Sequence, residues 1–317
     1  MAVKEGRTST LAEKVIETFD ELNGGVHAGF RPAHAKGILL SGVFTPSPNA
    51  ISLTRAPHLQ RSSTPVWVRF SDFAGIPSVA DHDPNASPRG MAIRFYLAEH
   101  VHTDIIAHSV DGFPTRTAEE FIGFLQALHA SGPGAAKPSP IEDFLQAHPS
   151  AMEFVQLASR PMPASFVREC YFAVNAYRFV SKNDVIQYGR YRIYPEAGVE
   201  RLDSTAAAAT PPNYLFDELR QRLAASKPRM HIVVQVALPG DIIDDSTVHW
   251  PQERDEIDFG TVELSGIVPN NDAEQQHIIF DPIPRVDGIE PSSDPLLQPR
   301  ADVYLMSGRR RRSANSR

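Results

Sequence analysis

Short runs rich in β-branched and aromatic residues constrain this chain most: Ile38–Phe44, Val66–Ser71, Met91–Leu97, Val185–Ile193, Ile232–Leu238, Val262–Ile267 and His277–Phe280, with Pro, Gly and Asp between them. So many strands, with no βαβ rhythm, no Gly-rich phosphate turn and no internal repeat, argue against a dinucleotide-binding sheet or a solenoid. They predict an α+β protein built on an antiparallel β-barrel with inserted helices. Thr10-Leu-Ala-Glu13 is a capping box, and Leu11, Val15, Ile16, Phe19 and Leu22 recur at helical spacing until Gly24-Gly25 stops the helix. Thr117-Ala-Glu-Glu120 opens a second helix over Phe121–Leu128, while Ser150–Leu157 and Asn213–Leu223 have helical periodicity and residues 205–212 read as a loop.

Composition narrows the function. The net charge of -7 argues against nucleic acid as the main partner, despite the basic run Arg309 to Arg312. A single cysteine, Cys170, excludes an internal disulfide and any Cys-rich metal or iron–sulfur site, so a metal would need His, carboxylate or Tyr ligands. Cys170 itself, in an apolar run, reads as core. The N-terminal residues from Met1 carry no apolar run, and no stretch is long and apolar enough to span a membrane, which implies a cytoplasmic protein without a membrane partner. We read one domain over residues 1–317: an N-terminal helix at about 10–23, barrel and helices at about 27–287, and a last helix with its basic tail at about 288–317.

That last segment carries chemistry. In Gly288-Ile-Glu-Pro-Ser-Ser-Asp294-Pro-Leu-Leu-Gln-Pro-Arg300-Ala-Asp-Val-Tyr304, Ser293 or Asp294 can cap a helix with Pro295 at its first position, which places Arg300 and Tyr304 on one face. A guanidinium within hydrogen-bond reach favours phenolate, the form able to bind ferric iron, and tyrosine is a known haem ligand. Alone, Arg-x-x-x-Tyr is more often an ordinary surface pair. Three further stretches weigh against that reading. Arg31-Pro-Ala-His34-Ala-Lys-Gly37 runs into a strand. Val66-Trp-Val-Arg69-Phe-Ser71 puts Arg69 and Ser71 on one strand face by simple alternation, with Val66, Val68 and Phe70 on the other. Asp104-Ile-Ile-Ala-His108-Ser109 leads on to Phe113 and Phe121.

Together these stretches, in order over about residues 27–312, resemble the haem catalase family, and most closely its small catalase-related peroxidases: ordinary catalases continue well beyond the haem tyrosine, whereas this chain ends soon after Tyr304. The resemblance implies a catalase-type barrel whose C-terminal helix carries the haem ligand, with haem b bound through Tyr304 assisted by Arg300. It implies His34 as the acid–base group that moves a proton between the peroxide oxygens, Ser71 as the hydroxyl orienting it, and Arg31, Arg69 and Arg311 as propionate partners. Counting without gaps, Phe121 falls at the phenylalanine packed over the haem, and His108 falls where catalases carry a catalytic Asn; a slip of one residue would put Ser109 there. An amide cannot titrate, whereas an imidazole either titrates near neutrality or is drawn into a hydrogen bond elsewhere, so His108 is expected to weaken the second-peroxide step. Pro299 also departs from the family wording and is expected to kink the helix before Arg300.

The function implied is a haem-dependent peroxidase that reduces hydrogen peroxide, and organic hydroperoxides where they fit, with a small organic electron donor and with weak or no catalase activity. A homo-oligomer is left open. One alternative is a hydroperoxide-rearranging enzyme of the allene oxide synthase kind, which carries Thr before the distal His where this chain has Ala33. A non-enzymatic haem carrier or sensor is another, and would not need Arg31, His34 and Ser71 together. A third, a cupin-like metal site on His100 and His102, lacks the Glu expected after the pair. Asp81-His82-Asp83 reads as a solvated loop.

Overall fold

The computed structural model describes residues 9–314. The N-terminal residues read above for a leader, from Met1 to Thr8, lie outside them. The strands are β1 Gly37–Pro46, β2 Thr64–Ser71, β3 Gly90–Ala98, β4 Val101–His108, β5 Tyr171–Phe172, β6 Tyr177–Val180, β7 Ile186–Pro195, β8 Arg229–Val236, β9 Glu256–Ile267 and β10 Ile289–Pro291. Antiparallel pairing runs β1–β2–β3–β4–β5–β7–β8–β9 and returns from β9 to β1, closing a barrel without free edges; β6 and β10 extend from β7. The helices are α1 Leu11–Leu22, α2 Ala50–Leu53, α3 Ala118–Ala130, α4 Pro140–Ala147, α5 Pro149–Ala158, α6 Ser204–Ala208, α7 Tyr214–Ala225, α8 Asn271–His277 and α9 Leu297–Ser313. None is long and apolar enough to cross a membrane.

Alternation decides which strand residues fill the barrel. Val66, Val68 and Phe70 of β2 join the buried core with Phe44, Phe95 and Phe259, while Arg69 and Ser71 leave by the outer face, as the sequence pattern requires. Inside, Phe44 meets Phe95 edge-on at 5.0 Å between ring centres. Each such buried side chain contributes about 1.5–3 kcal/mol. The helices lie outside: both capping boxes form, at Thr10 and Thr117, and α1 and α3 meet through Phe19 and Phe121, 5.8 Å apart.

Some expected elements differ. The run His277–Phe280 is not a strand; it is the end of α8 and an extended link, because its carbonyls are claimed by arginines rather than by a neighbouring strand. Residues 205–208 of the expected loop instead lie in α6. β4 escaped the composition reading because it carries His102, Thr103 and Asp104, but Asp104 is opposite Arg94 of β3 and receives two guanidinium bonds of 2.8 and 2.7 Å. Pro299 falls in the first turn of α9, where its missing N–H has no intrahelical acceptor, and the helix continues through it without a break. Asp294 caps the turn just before: its Oδ1 accepts from Leu296 N at 2.9 Å, and α9 begins at Leu297 rather than at Pro295.

His58, 1% exposed, sits among the rings of Phe44, Phe95 and Phe259, and its Nδ1 has no partner among the described residues. Burial, with Arg61 adding to it, pushes its imidazole down to about 3. The unfolded chain takes up a proton there below about pH 6.5 and the folded chain does not, so stability is full above that pH and falls as pH drops toward 3, by up to about 1.4 kcal/mol per pH unit. His58→Phe removes this contribution. Denaturant midpoints at pH 8 and pH 5 should therefore lie closer together in the variant, and an identical acid-side loss in both proteins would show that the ring does not stay neutral when folded.

Candidate functional site

A cavity of about 1110 Å³ lies between the outer face of β2–β4 and the helices α1, α3, α5 and α9. One wall carries Tyr304. Arg300 Nη2 donates to its Oη at 3.2 Å from one turn away on α9, so the i, i+4 spacing does what the sequence suggested. Arg300 is held in turn. Its Nη1 donates to Asn175 Oδ1, and Asn175 Nδ2 donates to Asp294 Oδ2 at 2.7 Å. Burial opposes the guanidinium charge, yet Tyr304, Tyr177 and Asp294 outweigh it and hold the group above its ordinary value. Arg300 is therefore a fixed cation beside the phenol oxygen.

The distal wall carries His34, Ser71 and His108. His34 sits at φ 57°, in the left-handed region that a non-glycine residue enters at a cost of order 1–3 kcal/mol. The backbone holds it there, with His34 N bonded to Phe73 O at 2.6 Å and Ala35 N to Ala74 O at 3.0 Å. Its Nδ1 lies 3.1 Å from Ser71 Oγ, which leaves Nε2 for proton exchange. Gly90 makes room for the pair: a Cβ there would stand 2.6 Å from Ser71 Oγ and 2.7 Å from His34 Nδ1. Burial pushes His34 down to about 3, and Arg69, His108 and Arg31 add to the effect, so the imidazole is neutral at ordinary pH.

His108, at the end of β4, lines the same cavity. Of the two outcomes expected for it, titration near neutrality or a hydrogen bond elsewhere, the second fits its surroundings: burial and Arg300 push the imidazole down to about 4. Its Nδ1 accepts from Val110 N at 3.3 Å, and its Nε2 is buried without a partner among the described residues. Ser109 also lines the cavity, but its hydroxyl accepts from Arg89 N at 2.9 Å. Phe121 lies on the wall beside Phe113, 5.0 Å between ring centres.

Three arginines meet at one end of the cavity. Arg31 donates to Gln275 O and Ile278 O, Arg69 to Gln275 Oε1 and His34 O, and Arg311 to Ser307 Oγ and Ile278 O. Arg31 and Arg311 thereby cap the last carbonyls of α8 and the link after it. None of the three has an ion-pair partner among the described residues. Burial lowers all three, with neighbouring arginines adding to it: Arg31 well below its ordinary value, Arg69 to about 9 and Arg311 to about 10. Gly37 lets Arg69 approach the backbone of β1, since a Cβ there would overlap its guanidinium.

The sequence reading missed Asn175 and Gln275, and it took Asp294 only as a cap. The alternative metal site does not assemble: His100 is exposed in the β3–β4 turn, and no cluster of His, Cys, Asp or Glu among the described residues could hold a metal.

Two solved structures share this architecture and define it as the fold of the catalases: a fungal catalase, with a TM-score of 0.80 and 21% identity over 98% of this chain, and catalase A from Saccharomyces cerevisiae, with 0.80 and 22% over 98%. The chain spans 65% and 67% of those two proteins. A catalase-related peroxidase of Mycolicibacterium paratuberculosis is 35% identical over 291 residues, 90% of each chain, and one of Synechococcus elongatus is 30% identical over 286 residues, 89% of this chain and 84% of that one. Residues 25–317 match the family model of catalase, and the chain belongs to the catalase family.

Proposed function

We propose that this chain is a haem-dependent peroxidase that reduces hydrogen peroxide with a small organic electron donor. The observation that carries the reading is that an arginine-paired phenol, Tyr304, and a neutral imidazole on a hydroxyl, His34 with Ser71, line one cavity. The residues fit haem b. Tyr304 would bind the iron, and Arg31, Arg69 and Arg311, which have no carboxylate partner among the described residues, would take the two propionates. Phe121 and Phe113 would pack against the ring. Bound haem would supply the two-electron redox chemistry.

This chain's own residues handle the proton. His34, neutral and held by Ser71, would take a proton from one peroxide oxygen and return it to the other, departing one through Nε2. Two relatives named catalase-related peroxidases match nearly end to end, which supports donor oxidation over dismutation. The cavity also extends along α5 to Met162 and Pro163, leaving room for organic hydroperoxides. The His34–Ser71 pair tells against a mere haem carrier.

The test is purification with haem supplied during expression, followed by measurement of haem per chain, oxygen release from peroxide and peroxide-dependent oxidation of a phenolic donor. We expect one haem per chain and donor oxidation in excess of oxygen release. A chain that retains haem yet consumes no peroxide would sink the enzymatic reading.

A further inference from the structure

The unpartnered nitrogen of His108 has a physical consequence for the distal wall. A buried N–H without an acceptor costs about 1–3 kcal/mol, and such groups are rare in folded proteins unless a ligand or water completes them. Val110 N can only donate, so the Nδ1 that it reaches at 3.3 Å must be the acceptor nitrogen of a neutral ring. The proton then resides on Nε2, the atom left without a protein partner. Phe113 and Phe154, 6.5 and 6.1 Å away between ring centres, bound the imidazole on the apolar side and offer no acceptor.

Resting on the peroxidase reading above, we propose that His108 is a permanently neutral, single-tautomer N–H donor that orients an oxygen ligand in the distal cavity, with the backbone N–H of Val110 as the device that fixes the tautomer. The charged and titratable groups around it agree with a neutral ring. Arg300 disfavours the imidazolium, and Asp111, which favours it, is drawn away into an ion pair of 2.6 Å with Arg192. His34 is itself neutral, and on α5 Glu153 is engaged with His249 at 3.2 Å. Burial pushes His108 down to about 4, so the donor is constant from pH 5.5 upward. An imidazole in this state does what a side-chain amide would do there.

Two readouts test it, neither of them turnover. Ring-nitrogen NMR on histidine-labelled protein, in the diamagnetic ferrous carbon monoxide form, should show His108 with its proton on Nε2 and no change between pH 5.5 and 8.5. A proton on Nδ1, or titration in that window, would overturn the proposal. In the same complex the C–O stretch reports donation to the ligand: it should move to higher wavenumber in His108→Phe and return toward the parent value in His108→Asn. Equal stretches in parent and His108→Phe would show that Nε2–H never reaches a ligand, which also refutes the proposal. A parent chain that takes up no haem fails the peroxidase reading instead, and the NMR on the protein as purified then still decides the tautomer.

Discussion

Tyr304→Phe is expected to leave the folded chain unable to retain haem, with peroxide-dependent donor oxidation falling to background. The substitution removes one oxygen and little volume from a half-buried side chain, so the cavity wall is kept and the effect is confined to the donor atom. Glu169 of the cavity lining also lies beside a guanidinium, but both of its oxygens are engaged by Arg201, at 2.5 and 2.7 Å, whereas Arg300 donates to Tyr304 Oη and Asn175 Oδ1. Arg300→Leu should sit between the two proteins, because loss of an outer partner of a metal ligand typically costs 10–100-fold in affinity or activity. Haem per chain, the absorption spectrum and the thermal midpoint of both variants check this. If Tyr304→Phe keeps full haem with an unchanged spectrum, the phenol is not the ligand.

The same residues show how much of the site could be read beforehand. Arg69 with Ser71 and Arg300 with Tyr304 were legible because each pair lies on one element, where a period of two or of four residues fixes the geometry. His34 was legible as a residue, but its left-handed backbone and its place against Ser71 depend on Phe73, Ala74 and the space at Gly90. Asn175 and Gln275 were not legible at all. Each acquires its role from a partner more than a hundred residues away, Arg300 for the one and Arg69 for the other, and no local pattern encodes such a meeting. For His108 the residue type left two outcomes open, titration near neutrality or a hydrogen bond elsewhere, and β4 alone does not separate them, because burial, Arg300 and Val110 N act on the ring from outside the strand. For the barrel, runs of β-branched and aromatic residues revealed the long strands, while β5, β6 and β10 are too short to form such a run and β4 hides its strand character behind the buried Arg94–Asp104 pair.

His34→Ala is expected to slow the first reaction with peroxide by about 10²- to 10⁴-fold while haem retention stays at the parent level. Heterolysis of the O–O bond needs a proton carried from one peroxide oxygen to the other, and Ser71, which lies against Nδ1, has no base of its own once the imidazole is gone. His108 does not replace it, since its Nδ1 is taken by Val110 and its ring remains neutral with a proton already on Nε2. The pH dependence follows from the direction of the shift. A depressed imidazole is in its basic form at every pH above its folded value, so proton acceptance by His34 is available throughout pH 5–8 and fades only in more acid solution. Part of that depression comes from Arg69 and Arg31, and carboxylates bound on the arginine cluster would relieve it, while burial, its largest cause, continues to hold the value below 6.5. Stopped-flow rates of the first peroxide reaction should therefore be flat between pH 6.5 and 8 in the parent protein. A step of one proton inside that range, or a His34→Ala variant as fast as the parent, would move the acid–base role away from this residue.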